Sequence, residues 1–285
     1  MEQTPELHPC CRVCGSSDIR NVWIVNSFHI AHCNSCSVKF VSDNLTMENL
    51  SEYYIQSDET AYSDENRDCL SHYYRKVRQL IDKRHPGAGR ILDVGCSAGW
   101  FFDEMTGWEC HGTEFNGRDA EIARVRHGDR MFVGSFEDYP ETADFFDVIT
   151  FQDVLDHFMD PRAGLEKCFR MLKPGGMVLI KVHDFSCLYA RLTGSKFYAV
   201  IPPFHLSYFT RKGLFSLVNR CGFKFYEQFH LGHLLQIKTV FYRLSRGRKT
   251  SLARMIFKMI QHNRLGQIRF HKNLHDIMTV IAIKP

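Results

Sequence analysis

The run Arg90-Ile-Leu-Asp93-Val-Gly95-Cys-Ser97-Ala-Gly99-Trp-Phe-Phe102 decides the fold. Ile91, Leu92 and Val94 read as a buried strand, which breaks at Gly95 into a glycine turn that opens a helix. Gly95 permits a tight turn, and Gly99 lets backbone come close to a ligand at the helix N-terminus. This is the form of a nucleotide cradle, with Asp93 placed at the strand end to pair with a ligand's ammonium group. Glycine also serves bland strand-to-helix turns, and dehydrogenases share the architecture, so the segments that follow must separate the readings.

About twenty residues on, Trp108-Glu-Cys-His-Gly-Thr-Glu114 ends a second strand with a carboxylate, where a doubly wound fold presents one to ribose hydroxyls. A third strand is read over Arg130 to Val133. Phe146-Asp-Val-Ile-Thr-Phe-Gln-Asp-Val-Leu-Asp156-His157 is a fourth strand running into a polar turn. Asp160-Pro161, a helix and Arg170-Met-Leu-Lys-Pro-Gly-Gly176 then precede a fifth strand, Met177 to Val182. Phe223 to Phe229 and Asp276 to Lys284 supply a sixth and a seventh.

From about residue 70 to residue 285 this order closely resembles the class I S-adenosylmethionine-dependent methyltransferases. The resemblance implies an α/β fold with a Rossmann-like, doubly wound, seven-stranded sheet, and S-adenosylmethionine as cofactor. It places Asp93, Gly95, Ser97 and Gly99 around the methionine part, with Gln152 beside them and Glu114 on the ribose. A dehydrogenase is not expected to carry the Leu-Lys-Pro-Gly-Gly motif. The chain departs from the family at Ser97, where the middle loop glycine stands, and at Asp156-His157, where Glu-His is common. After the third strand, where an acid often contacts adenine, it has Ser135 and Phe136, so adenine is expected against backbone groups and Phe136.

Five of the eleven cysteines crowd the first 36 residues, as Cys10-Cys11-Arg-Val-Cys14-Gly and Cys33-Asn-Ser-Cys36. Cys11, Cys14, Cys33 and Cys36 give two Cys-x2-Cys pairs separated by eighteen residues, the spacing of a structural zinc ribbon. Four thiolates close a tetrahedral shell and fold a segment too short for its own core. Cys10 is an alternative to Cys11, and His29 and His32 are read on the ribbon's strand. Four unligated core thiols or a redox dithiol fit this double spacing less well. The remaining six cysteines are scattered and the total of eleven is odd, so they read as reduced thiols.

A length of 285 residues and a hydrophobic fraction of 44% suit one large α/β core with a small appendage. The organisation expected is a zinc ribbon at 1–45, a helical connecting arm at 46–86 and a cofactor-binding methyltransferase domain at 87–285. The arm carries Tyr53, Tyr54, Tyr62, Tyr73 and Tyr74, which pack it onto the core or lend one or two rings to a lid. No apolar run reaches membrane-spanning length and no leader-like start is visible, so a cytoplasmic location is expected.

Methyl transfer asks for in-line placement of the acceptor, exclusion of water and a base where the acceptor is protonated. His157, after the fourth strand, and His205, in the aromatic loop Phe197 to Thr210, are the candidate bases. Each also has a structural reading: His157 capping its turn, His205 holding the Pro202-Pro203 loop by a hydrogen bond. His183 is a weaker candidate, and Asp156 is read as orienting the turn. The insert 231–272 carries ten Lys and Arg and no acid, in a chain whose formal charge is only +4. Leu252, Ile256, Met259 and Ile260 fall there at helical spacing, so the insert reads as a solvated cap, or as a contact for an anionic membrane surface, a lipid-linked or phosphorylated acceptor, or a nucleic acid.

The function expected is methylation of a small molecule, such as a sugar or lipid-linked precursor. The alternatives are an RNA methyltransferase, for which no Asn-Pro-Pro-Tyr-like target-base motif follows the fourth strand, and a non-catalytic cofactor-binding module.

Overall fold

The computed structural model describes residues 7–46, 50, 67–247 and 251–285. Tyr53, Tyr54, Tyr62, Arg248 and Lys249 lie outside the described residues, as do the side chains of Arg243 and Arg246.

The ribbon segment supplies β1 (Ile19–Val25), β2 (Phe28–Cys33) and β3 (Lys39–Val41). Helix α1 (Arg67–Arg84) follows, burying Cys69, Tyr73, Val77 and Ile81, a fourfold spacing that draws one stripe of the helix onto the sheet. Next come β4 (Arg90–Val94), β5 (Glu109–Glu114), α2 (Gly117–His127), β6 (Met131–Val133) and β7 (Phe146–Gln152). The second half holds α3 (Pro161–Met171), β8 (Leu172–His183), α4 (Leu188–Thr193), β9 (Ser207–Tyr208), α5 (Arg211–Arg220) and β10 (Lys224–Phe229). The insert folds as β11 (His233–Gln236), α6 (Ile237–Gly247), α7 (Ser251–Ile260) and β12 (Arg269–Lys272), and β13 (Ile277–Ile283) ends the chain's regular structure.

The central sheet has the order β10-β13-β8-β7-β4-β5-β6. All neighbours from β8 to β6 are parallel, and β13 runs antiparallel to both β8 and β10. Strands β4 and β7 are buried almost throughout, as a parallel strand covered on both faces must be. Helix starts follow the local chemistry. Asn116 caps α2, Asp160 caps α3 ahead of Pro161, and Thr210 caps α5, each accepting from a backbone N–H of the first turn. The strand order reverses between β4 and β7, so their carboxyl ends open the crevice in which a doubly wound sheet holds ligands.

Three features differ from expectation. The segment after Gly99 is a five-residue 3-10 helix, Trp100–Glu104, because Thr106-Gly107 turns the chain into β5 too soon for an α-helix. The insert is more than one amphipathic helix: β11 and β12 pair antiparallel and clamp the ends of the α6–α7 unit. Within α7, Ile256 and Ile260 are partly covered, but Leu252 and Met259 point to solvent. The ribbon's sheet also continues past the ribbon, in the order β1-β2-β3-β9, with Lys39 opposite Tyr208 and Phe40 opposite Ser207. Val38 and Phe40 share a buried cluster with Leu214, Leu217 and Val218 of α5. The cysteine-bearing segment is thus welded to the loop that follows β8.

Candidate functional site

The cradle is assembled at the ends of β4 and β5. Gly95 has φ +70°, and a Cβ there would stand 2.7 Å from Val154 Cγ2, so the turn accepts no side chain. Ser97 also lies in the left-handed region, at φ +48°, which accounts for glycine in the family's version of this position. Serine is held there by two contacts: its N–H donates to Glu114 Oε2 at 2.8 Å and its hydroxyl to Asp119 Oδ2 at 2.8 Å. Glu114 Oε1 accepts from the Asn116 N–H at 2.7 Å, so backbone N–H groups grip both oxygens. Gly99, at φ +74°, directs its missing Cβ toward His127 Cδ2, 2.7 Å away, so its smallness also serves packing.

Asp93 is buried beside Thr150 and Gln152. Its Oδ1 accepts from the Thr150 hydroxyl and from Gln152 Nε2 at 3.1 Å. Burial pushes the Asp93 carboxyl up to about 7, against the pull of those two bonds. Gln152 Oε1 is buried with no hydrogen-bond partner. An ammonium group would satisfy both, donating to the orphaned amide oxygen and stabilising the Asp93 carboxylate. The residues present therefore fit the amino-acid part of S-adenosylmethionine.

The expected adenine contact looks different. Phe136 is only 3% exposed, its ring meeting Phe151 edge-on at 5.7 Å inside the core. Phe115, directly after Glu114, is 45% exposed.

On the far side of Gly95, the 3-10 turn Leu155–His157 carries Asp156 and His157. The end of β8 brings His183, and the loop after Pro202-Pro203 brings His205. Three imidazoles surround one carboxylate. His157 Nε2 lies 3.9 Å from Asp156 Oδ1, while His183 Nδ1 and His205 Nδ1 lie 3.7 and 3.9 Å from Oδ2. His205 packs on both other rings, at centroid separations of 4.9 Å to His157 and 5.2 Å to His183. Burial alone would raise the Asp156 carboxyl, but the imidazoles, His205 foremost, hold it well below the usual carboxylate range. Burial pushes the His205 imidazolium down to about 4 despite Asp156, so at neutral pH the ring is uncharged.

His205 Nδ1 donates to the Ala199 carbonyl at 2.7 Å, the loop-holding bond foreseen as its structural role. Backbone links tie the cluster together: Leu206 N–H donates to the Asp156 carbonyl at 2.8 Å, and Val41 N–H of β3 to the Leu206 carbonyl at 2.9 Å. The aromatic loop is less of a wall than its composition suggests. Phe197, Tyr208 and Phe209 are buried in the core.

Cys11, Cys14, Cys33 and Cys36 converge with all four sulfurs within 4.8 Å of one another. Cys11 Sγ and Cys36 Sγ are 3.7 Å apart, and Cys14 Sγ and Cys33 Sγ 3.5 Å. A tetrahedral ion with bonds of about 2.3 Å sets its sulfurs about 3.8 Å apart, so the donor set fits zinc. Each knuckle ends on a left-handed residue, Gly15 at φ +73° and Ser37 at φ +65°. Cys10 lies outside the group, and His29 and His32 sit on β2, where they were expected. None of the eleven cysteines is in a disulfide.

Residues 65–228 match the family described as a methyltransferase domain. The ubiquinone biosynthesis O-methyltransferase of Thiobacillus denitrificans is 34% identical over 108 residues, covering 34% of this chain and 46% of that protein. The protein of the same name from Shewanella sp. is 30% identical over 100 residues, covering 31% of this chain and 41% of its own length. The chain thus spans about half the length of the curated relatives it matches. The YcgJ protein of Bacillus subtilis superposes with a TM-score of 0.52 at 18% identity, over 75% of this chain and 98% of its own. A SAM-dependent methyltransferase from Archaeoglobus fulgidus gives 0.50 at 17% identity, over 80% and 100% respectively. At such identities these two structures speak for the fold alone.

Proposed function

From the premise that this chain belongs to the methyltransferase-domain family, among the class I S-adenosylmethionine-dependent methyltransferases, we propose that it methylates a small-molecule acceptor held between the cradle and the histidine cluster. The observation that carries this reading is the convergence of His157, His183 and His205 on Asp156, one turn beyond the glycine loop. Bound S-adenosylmethionine would supply an electrophilic methyl group. Asp93 and Gln152 would bind its ammonium end, Ser97 and Glu114 its ribose, and the exposed ring of Phe115 its adenine. The acceptor we favour is a hydroxyl on a sugar or lipid-linked precursor, in keeping with the O-methyltransferase names of the curated relatives.

His157 takes the acceptor's proton. It stands at the rim with Asp156 behind it, and a carboxylate there stabilises the imidazolium as it forms. His205, pinned to Ala199, positions the loop against that turn. His157→Ala should lower turnover by roughly a hundredfold and leave cofactor affinity unchanged. The assay is transfer from labelled cofactor into a cell extract whose metabolites and RNA are separated afterwards. Label in the RNA fraction alone, or full turnover in the variant, would sink this assignment.

Zinc in the four-cysteine site is structural in this reading, one ion with a closed thiolate shell. The organisation we propose remains ribbon, arm and methyltransferase domain, divided near residues 45 and 86. Among the described residues no helix is long and apolar enough to cross a membrane. For the insert we favour a peripheral contact with an anionic surface. On α7, Leu252, Met255 and Met259 are 60%, 53% and 68% exposed, beside the exposed Arg254 and Lys258. An exposed apolar ridge flanked by cations suits a headgroup layer better than bulk water.

A further inference from the structure

We propose that Asp156, His183 and His205 form a second metal site, which binds a divalent first-row transition ion such as Zn2+ independently of the four cysteines. One donor atom from each of the three residues lies within 4.8 Å of the other two. Among the described residues, this is the one group besides the cysteines in which such donors converge.

Three features of the donors point to an ion. Asp156 Oδ1 is buried and accepts no hydrogen bond, and His183 Nδ1 is buried with none either. A buried carboxylate with an empty oxygen is costly unless something positive meets it. Every ion-pair partner of Asp156 among the described residues is an imidazole, and each stands beyond hydrogen-bond reach, at 3.7 to 3.9 Å. Donors around a tetrahedral ion with bonds of about 2.1 Å lie about 3.4 Å apart. The 3.7 Å from His183 Nδ1 and the 3.9 Å from His205 Nδ1 to Asp156 Oδ2 are close to that spacing.

His205 Nδ1, the ring nitrogen that lies 3.9 Å from Asp156 Oδ2, donates to the Ala199 carbonyl, so ligation through this nitrogen exchanges that bond for one to the ion. Two imidazoles and one carboxylate favour a borderline transition ion over Mg2+ or Ca2+, which prefer oxygen shells. Three protein ligands leave coordination positions open, in contrast to the closed thiolate site. That an acceptor oxygen occupies one of them rests on the methyl-transfer reading; the metal site itself does not.

The test uses the full chain with its cysteine site filled by zinc. Cobalt(II) is then titrated in, with metal counted per chain and the visible spectrum recorded. We expect uptake of one further ion with weak bands free of thiolate charge transfer, and loss of that uptake in Asp156→Asn and in His183→Gln. Cofactor affinity and retained zinc in the variants establish that they are folded. Should either variant fail to fold, X-ray absorption of the zinc-saturated native chain decides, since an N/O shell must appear beside the sulfur shell. A native chain that takes up only the thiolate-bound ion in excess zinc or cobalt overturns the proposal, as does unaltered uptake by both folded variants. Methyl transfer enters none of these readouts, so their failure leaves the proposed function standing.

Discussion

Acidification from about pH 8 to about pH 6 should weaken cofactor binding through one side chain, Asp93. In the empty cradle, burial raises its carboxyl to about 7, some three pH units above an ordinary aspartate, so ionising it in place costs roughly 4 kcal/mol. The folded protein therefore holds this proton more tightly than the unfolded chain does. The stability that the proton contributes is complete below about pH 4 and is lost as pH climbs to about 7. A cofactor ammonium group needs the carboxylate. Below about pH 7, binding must expel the proton, and affinity should fall by up to about tenfold per pH unit. Calorimetry in buffers of different ionisation heat should find nearly one proton released per cofactor at about pH 6 and almost none at about pH 8. Asp93→Asn should abolish this pH dependence, lower the plateau affinity by about 1.5–3 kcal/mol and raise the melting temperature of the cofactor-free protein at neutral pH. Equal affinity at the two pH values, without proton release, would refute the reasoning.

Further tests follow from other contacts. Glu114→Ala should weaken cofactor binding by about 1–3 kcal/mol, and undiminished calorimetric affinity would remove the carboxylate from the ribose site. Gly213→Leu should destabilise the whole chain by about 1–3 kcal/mol or more, because its Cβ would stand 2.2 Å from Val38 Cγ2; an unchanged melting curve would mean that ribbon and α5 are not packed as described. Arg254→Glu with Lys258→Glu should abolish sedimentation with anionic liposomes at low salt while sparing cofactor binding, and a native chain that ignores such liposomes rejects the membrane contact.

Much of this was legible in the residues because it obeys local rules. The apolar runs of β4, β7 and β8, the left-handed glycines and the doubled Cys-x2-Cys spacing each announce themselves within a dozen positions. What escaped depends on chain path. Strand β9 is two residues long, too short for any periodicity, and only tertiary pairing makes Ser207 and Tyr208 part of the ribbon's sheet. Phe136 looked like an adenine wall from its place after the third strand, yet its ring turns into the core, while Phe115 stays out. Asp156 looked like a turn residue. Its place among three imidazoles is set by the ends of two strands and a loop, far apart in sequence.

The pairing of β3 with β9 bears on how this protein could be cut down or recombined. Removing the cysteine-bearing segment to obtain a minimal transferase would strip the partner from Ser207 and Tyr208 and uncover Leu214, Leu217 and Val218. An unpaired strand beside fresh apolar surface is a template for association between chains. The truncated product should therefore precipitate or form oligomers, and a graft of this ribbon onto another domain would have to bring a receiving strand with it.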